Sequence, residues 1–501
     1  MPHAVVSVVP QPVAARPVAL SYRTDDTGGR DHPVIPYPSW LHPGDTSWQL
    51  TAATLVGLMS LPGIAVLYSG LVQKKWAVNT MLMAFTGFSL VLIVWVLWGF
   101  NMSFGHPIHL GPGILGSFLG RPGPVTQHAA EQGRAHIPLL KGLMPPFRFP
   151  HSALVYFQFV FAAITPLLFL GSVLGRIRIK VWLIFVPLWS TFAYSVNAFL
   201  LWGGGFWAQK GALDYSGGYV IHLAAGTTGF VAAAMIGPRL KRDRDHAVPH
   251  NLLFVALGAG ILWLGWNGFN GGDPYFAGSD AASAVLNTNL AAAAALLGWV
   301  VMDMLGKEKK PTFLGAVNGM IVGLVGITPA AGFVDGTGAI IIGLVESVVI
   351  WFAWNYLPKI RPFNKVDDAL GVVYTHGMAG LLGGLLTGML ADPRMIEYIG
   401  LGKTPSSSGS GLLYGHPGEV VVQLLAGLTI IAWDALVTFV ILRVIKIFMP
   451  LRMTDAELEI GDLAVHGEEA YPRETLLERV SSSAMTHHDS DVLPEPMGGE
   501  A

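Results

Sequence analysis

Stretches of about 20 apolar residues recur along this chain, and each is long enough to cross a lipid bilayer as a helix. Eleven are marked, at 47–72, 77–103, 150–175, 180–202, 217–237, 250–270, 284–305, 312–331, 336–357, 369–391 and 418–449. In hydrocarbon every backbone N–H and C=O needs a partner inside the protein, so continuous helices are the economical solution for runs of this length. The spacing therefore predicts an all-α, polytopic membrane protein of eleven transmembrane helices. Composition sharpens this where it bears on packing. Charged residues make up 12% of the chain, about half the usage of a soluble domain. Glycine, present 61 times, lets membrane helices approach closely where no hydrophobic drive separates lipid from protein. The chain has no cysteine, which excludes disulfides and thiolate metal sites.

The loops orient the spans. One set, QKK (73–75), RIRIK (176–180), RLKRDRD (239–245), GKEKK (306–310) and KIRPFNK (359–365), is basic. The alternate set, 203–216, 271–280 and 332–335, contains Lys210 as its single basic residue. By the positive-inside rule the first set is cytoplasmic, which puts the N-terminus outside and the C-terminal end inside. Three regions follow: an extracytoplasmic extension (1–45), the transmembrane domain (46–449) and a cytoplasmic tail (450–501). The first stretch, MPHAVVSVVPQPVAARPVALS, has prolines where the apolar region of a secretory leader would run. His487 and His488 sit in a polar end and read as tail rather than as a metal site. Glu346 and Asp434 fall within spans, where ion pairs or subunit contacts are the expected use.

Two segments match each other. Asp214-Tyr-Ser-Gly-Gly-Tyr-Val-Ile-His222 continues to Gly226 and Gly229; Asp368-Ala-Leu-Gly-Val-Val-Tyr-Thr-His376 continues to Gly380 and Gly383. Gly217 and Gly371 also coincide. The segments belong to the fifth and tenth spans, five helices apart, so the copies run in opposite directions. That is a five-plus-five inverted repeat, whose halves meet near the bilayer midplane. Histidine inside a bilayer is costly and marks function; the bland alternative, a polar contact gluing two helices, explains a symmetric pair less well than a single residue. Asp214 and Asp368, near the starts of their spans, suit helix capping.

With these motifs in hand, the chain resembles the ammonium transporter, methylammonium permease and Rhesus protein family. LPGIAVLYSGLVQKK (61–75), FQFVFAAIT (157–165), WGGG (202–205), DYSGGYVIHLAAG (214–226), GWNGFNGG (265–272), GITPAAG (326–332), DDALGVVYTHGMAG (367–380) and HGEEAY (466–471) occur in family order. The resemblance implies a homotrimer with one pore per subunit in the cell membrane. It implies that Trp202 and Phe161, with Phe157 and Gln158 beside them, form an outer vestibule for ammonium. It makes Phe161 and Phe269 a stacked gate, His222 and His376 the twin pore histidines, and Asp214 an indispensable buried acid. It also implies a regulatory tail that contacts the neighbouring subunit, and in bacterial relatives a PII-type signalling protein docks on the cytoplasmic face. Asp273 departs from the family's usual serine; a carboxylate there either attracts the cation or turns away to water. Trp76 and Gly371 replace an asparagine and a second aspartate.

These residue types suit ammonium. A cation–π contact supplies about 0.5–2 kcal/mol, whereas a full charge at the bilayer centre costs from about 3 to above 10 kcal/mol. The expectation is that ammonium leaves its proton near the vestibule, ammonia crosses the dry segment past the imidazoles, and H+ accompanies it. The alternatives are an electroneutral Rhesus-type channel for ammonia or carbon dioxide, and an ammonium sensor. No cofactor, metal, enzymatic or nucleic-acid role is expected.

Overall fold

A computed structural model describes residues 38–109, 111, 116–395 and 409–471. The extension at 1–37 and the end from 472 onward, with His487 and His488, lie outside the described residues. Among the described residues the regular structure is helical, with isolated bridges in place of strands. Nine helices are long and apolar enough to cross a membrane: Pro43–Leu71, Lys74–Phe104, His151–Val173, Ile179–Gln209, Gly218–Ile236, Leu252–Gly272, Ser279–Leu305, Gly336–Lys359 and Gly418–Phe448. The eighth predicted span is a shorter apolar helix, Phe313–Ile327. The tenth is a π-helical turn, Val373–Met378, running into Ala379–Leu390. All eleven segments fall where the hydropathy puts them, and the chain is a multi-pass membrane protein.

Local chemistry sets several of the helix ends. Asn251 caps the sixth span by accepting from the N–H groups of Leu253 and Phe254, which satisfies donors the helix cannot. Pro62 lies inside the first span, and the helix accommodates its missing N–H with a π-turn, Met59–Gly63. The third span sits at the centre of the bundle: of His151–Val173, only Ser152 and Tyr156 escape burial. The outer helices instead turn apolar side chains away from the protein, with Leu253 81% and Phe448 78% exposed. Such faces are stable only against lipid.

The inverted repeat is visible in the packing. The first turn of the fifth span packs on the later turns of the tenth, and the first turn of the tenth packs on the later turns of the fifth. The two helices therefore cross antiparallel. Close approach depends on glycine: a Cβ at Gly226 would run into the backbone of Gly377, and one at Gly380 into the carbonyl of Gly218. On the side of the basic loops the buried guanidinium of Arg176 donates to the carbonyls of Ser172 (2.8 Å) and Gly237 (2.6 Å) and to that of Asp367. Arg239 closes the same latch with a two-pronged ion pair on Asp367, 2.7 Å at its shortest. Together they tie the ends of the third and fifth spans to the start of the tenth.

Neither in-span acid, Asp434 or Glu346, has an ion pair among the described residues. Both oxygens of Asp434 accept from the amide of Asn197, at 2.9 and 3.0 Å. Glu346 is fully buried against Gly326 with neither oxygen bonded to a described residue. An amide donor solves the desolvation problem for Asp434 with no second charge to bury.

The tail from Met449 to Tyr471 folds back onto the chain, against the face that carries the basic loops of Lys75 and Arg178. Thr454 and Glu457 form a capping box that starts Asp455–Ile460. Arg178 pairs with Glu457 (3.1 Å), and Lys75 donates to the Leu458 carbonyl (2.7 Å). Asp462 then does what Trp76, at the start of the second span, has no side-chain acceptor to do. Its carboxylate takes the N–H groups of Val78 (2.8 Å) and Asn79 (3.0 Å). Burial pushes the Asp462 carboxyl up to about 6, against the pull of those two amides. A raised carboxyl makes the docked tail the better proton binder, so docking is favoured below this value and weakens as pH rises through it. Hydrogen exchange of the 455–466 amides, corrected for its intrinsic pH dependence, is expected to be slower at pH 5 than at pH 7.5. Asp462→Asn should remove that difference.

Candidate functional site

The fifth and tenth spans begin in the same way. Gly217 and Gly371 both hold a positive φ, 111° and 74°, a backbone geometry that glycine adopts without steric penalty. Each is followed by a six-residue π-turn, Gly218–Leu223 and Val373–Met378, and each turn carries a histidine. The aspartate before each turn caps it. Asp214 accepts from the N–H groups of Gly217 (3.2 Å), Tyr219 (3.1 Å) and Val220 (3.0 Å); Asp368 accepts from Val373 (2.8 Å). π-turns are rare and cluster at functional sites because the extra residue re-aims side chains.

The two turns bring His222 and His376 together in the interior. Their Nδ1 atoms are 3.2 Å apart and their rings lie within 22° of parallel. One Nδ1 must carry the proton and the other must accept it. The Nε2 atoms are then complementary, one a donor and the other an acceptor. The Nε2 of His222 has no partner among the described residues. The second face of His222 rests on the indole of Trp266, with ring centroids at 5.3 Å. Trp266 is held in turn by Thr328, whose hydroxyl accepts its N–H at 2.9 Å.

Above this pair the aromatic residues form a column. Phe269 stands 6.0 Å from His222 and stacks on Phe161 at 4.3 Å, 16° from parallel. Both phenyl rings are fully buried, so the column is closed here. Trp202 meets Phe161 edge-on at 6.1 Å, and its indole N–H donates to the Asp214 carbonyl at 2.6 Å. Phe157 lies one turn up from Phe161, at 4.8 Å. Gln158 is bonded to the Tyr275 hydroxyl at 2.9 Å. Asp273 is buried and turns inward to bond the Ser216 hydroxyl, rather than out to water.

The side of the basic loops has a different character. A small cavity of ≈ 40 Å³ lies against His376, Thr375 and Tyr68. Beyond it a wider one of ≈ 380 Å³ is lined by Trp76, Trp354, Tyr374 and Asp368 among others. Among the described residues no cluster of histidine, aspartate and glutamate could hold a metal ion.

Sequence reasoning named the histidines, the gate and the vestibule rings, and the structure gathers them into one column. It missed Trp266, Ser216 and Tyr275. For Trp266 a signal existed: it lies three residues before Phe269, on the same helical face. Ser216 and Tyr275 are placed by loop geometry, which leaves no periodic trace.

Eleven apolar helical segments among the described residues surround a column of rings that meets two facing imidazoles, which defines a polytopic membrane protein with a buried polar pair at its centre. The family model for the Ammonium Transporter Family matches residues 47–471. Ammonium transporter 2 of Arabidopsis thaliana is 48% identical over 447 residues, covering 89% of this chain and 91% of the plant protein. Ammonium transporter 3 member 2 of Oryza sativa subsp. japonica is 47% identical, covering 91% and 95%. The crystal structure of Saccharomyces cerevisiae Mep2 superposes with a TM-score of 0.72 at 29% identity, covering 92% of this chain and 95% of Mep2. The chain belongs to the ammonium transporter family.

Trp266→Phe keeps a ring against His222 but removes the N–H that Thr328 accepts; the expected cost is about 1 kcal/mol, read as a drop of a few degrees in thermal stability in detergent, with transport retained. Trp266→Ala should leave His222 unsupported, cost about 3–5 kcal/mol and reduce ammonium uptake well beyond the loss of folded protein.

Proposed function

We propose that this protein carries ammonium into the cell across the plasma or inner membrane, with its N-terminus outside and its tail in the cytoplasm. It works as a homotrimer with a pore in each subunit. Trp202 and Phe161, with Phe157, Gln158 and Asp273, recruit the cation at the outer mouth. Phe161 and Phe269 form the gate. Ammonium gives up a proton at this mouth, and ammonia passes the gate and the imidazole pair. H+ accompanies it, so transport moves charge. A PII-type protein docking on the cytoplasmic face fits the basic loops there.

The observation that carries this reading is the 3.2 Å contact between two buried, nearly parallel imidazoles directly inside a stacked phenyl gate. Such a path disfavours a bare ion. Two or three rings supply about 0.5–2 kcal/mol each, against a cost of about 3 to above 10 kcal/mol for a charge at the bilayer centre. A solute that sheds its charge by losing a proton escapes that penalty. Potassium has no proton to lose, so selectivity follows from acid–base chemistry even though the two cations are close in size. The caps on Asp214 support a structural role for that acid, which holds the π-turn of His222 in place. The plant relatives are named as ammonium transporters, and their likeness over most of the chain favours the same substrate here.

The test is ammonium uptake with simultaneous current in vesicles that hold the purified protein. The expected result is uptake accompanied by current, and no current with potassium. Uptake without current would favour an electroneutral Rhesus-type channel, and a folded protein with no uptake would favour a sensor.

A further inference from the structure

The sixth span ends at the outer mouth, and its last carbonyls are taken by side chains from elsewhere in the fold. Trp48 Nε1 donates to the Gly271 carbonyl (2.8 Å) and Gln49 Nε2 to that of Gly272 (2.7 Å). The carbonyl of the gate residue Phe269 lies 3.3 Å from the Ser216 hydroxyl, which also bonds Asp273 Oδ2. Ser216 thus stands between two acceptors with one proton to give.

Counting protons gives two arrangements. With Asp273 ionised, Ser216 donates to the carboxylate, and the Phe269 carbonyl loses this donor. With Asp273 protonated, the acid donates to Ser216 Oγ, Ser216 donates to the Phe269 carbonyl, and the whole chain is satisfied. The two differ by a single proton, and that proton decides whether the gate residue's carbonyl is held.

Other observations make Asp273 the group that changes. No lysine or arginine among the described residues bears on its charge. It follows a 21-residue helix, at the end where the dipole is already negative. The ionisable groups within electrostatic reach of it are Asp214 and the phenols of Tyr194, Tyr215 and Tyr275, and none of these brings positive charge. An ionised Asp273 therefore needs either a proton or a cation. Asp214 is committed elsewhere, to three backbone N–H groups. Asp273 keeps 6% exposure, and its Oδ1 takes no hydrogen bond from a described residue.

We propose that Asp273 is the base that takes the proton from ammonium at the mouth of the gate, with Ser216 as the positioning residue that relays the change to Phe269. This rests on the deprotonation reading above and names the group responsible. One N–H bond of ammonium breaks, its electron pair stays on nitrogen, and an O–H bond forms on Asp273. Ammonium and carboxylate become ammonia and carboxylic acid. Ser216 then turns its own proton from Asp273 to the Phe269 carbonyl. The substrate is uncharged, and the gate residue is fastened in its proton-loaded arrangement. The acid then passes its proton inward after the ammonia, as the charge movement proposed above requires, and the carboxylate is restored for the next cycle.

The test is uptake by reconstituted wild-type and variant protein with the external pH varied from 5 to 7.5. Ammonium stays protonated across that range, so an acid limb reports the protein. Wild-type uptake should fall as acid protonates Asp273. Asp273→Asn should slow uptake about 100-fold, change the apparent affinity for ammonium far less, and abolish the acid limb. Asp273→Glu should retain the limb. Ser216→Ala removes a donor to the ionised carboxylate, which favours the protonated acid, so its limb should move to higher pH. This variant decides the matter if Asp273→Asn fails to fold. An Asp273→Asn or Ser216→Ala protein with the wild-type rate and pH profile overturns the proposal. If the wild-type protein in the same vesicles still passes ammonium with current and excludes potassium, the pore reading stands without it.

Discussion

One hydrogen bond, between the Nδ1 atoms of His222 and His376, is what the interior is organised to make. Two helices that run in opposite directions must cross closely enough for their side chains to meet edge to edge, and glycines at the crossing permit it. Each helix must begin with a turn wound wide enough to aim its imidazole at the other, and the repeated Asp and Gly positions hold those turns. Trp266 backs His222 on its other face. The bond also limits chemistry. Two imidazolium rings would present two N–H groups to each other, so the pair holds at most one excess proton while the contact survives.

The rest of the path can be understood from that limit. A conduit this narrow and this apolar around one imidazole pair is a poor place for a permanent ion and a tolerable one for a neutral molecule with donors and an acceptor. In the mechanism proposed above, the charge is therefore shed before the stacked phenyl rings. Beside the imidazole pair lie the groups that reading needs: an indole edge-on to a phenyl ring, a carboxylate with no lysine or arginine partner among the described residues, and two phenyl rings closed by stacking. The acids are divided by their hydrogen bonds. Asp214 accepts from three backbone N–H groups, whereas Asp273 has one side-chain partner, Ser216, among the described residues.

Much of this was legible in the sequence because membrane physics writes large signals. Twenty-residue apolar runs carry the number and place of the crossings, and the repeat ties His222 to His376 before any coordinates exist. Family motifs singled out Trp202, Phe161 and Phe269, whose rings are in contact. Other features leave no such trace. A π-turn differs from an α-turn by one residue in winding, which shifts no hydrophobic period. The inward turn of Asp273 depends on Ser216, 57 positions away. The tail reads as acidic and regulatory. Its grip on the second span comes from one aspartate meeting two amides nearly four hundred residues earlier. Asp434 looked like half of an ion pair because a carboxylate in a span ordinarily needs one, and Asn197 fills that need without a charge.

The most direct measurement is the ratio of ammonium to potassium current through a protein in which both His222 and His376 are replaced by alanine, set against the wild type in the same bilayers. If the imidazole pair is what admits ammonia and excludes ions, the double variant should either cease to conduct or pass potassium alongside ammonium. An ammonium current of wild-type size and selectivity, with both rings gone, would contradict it.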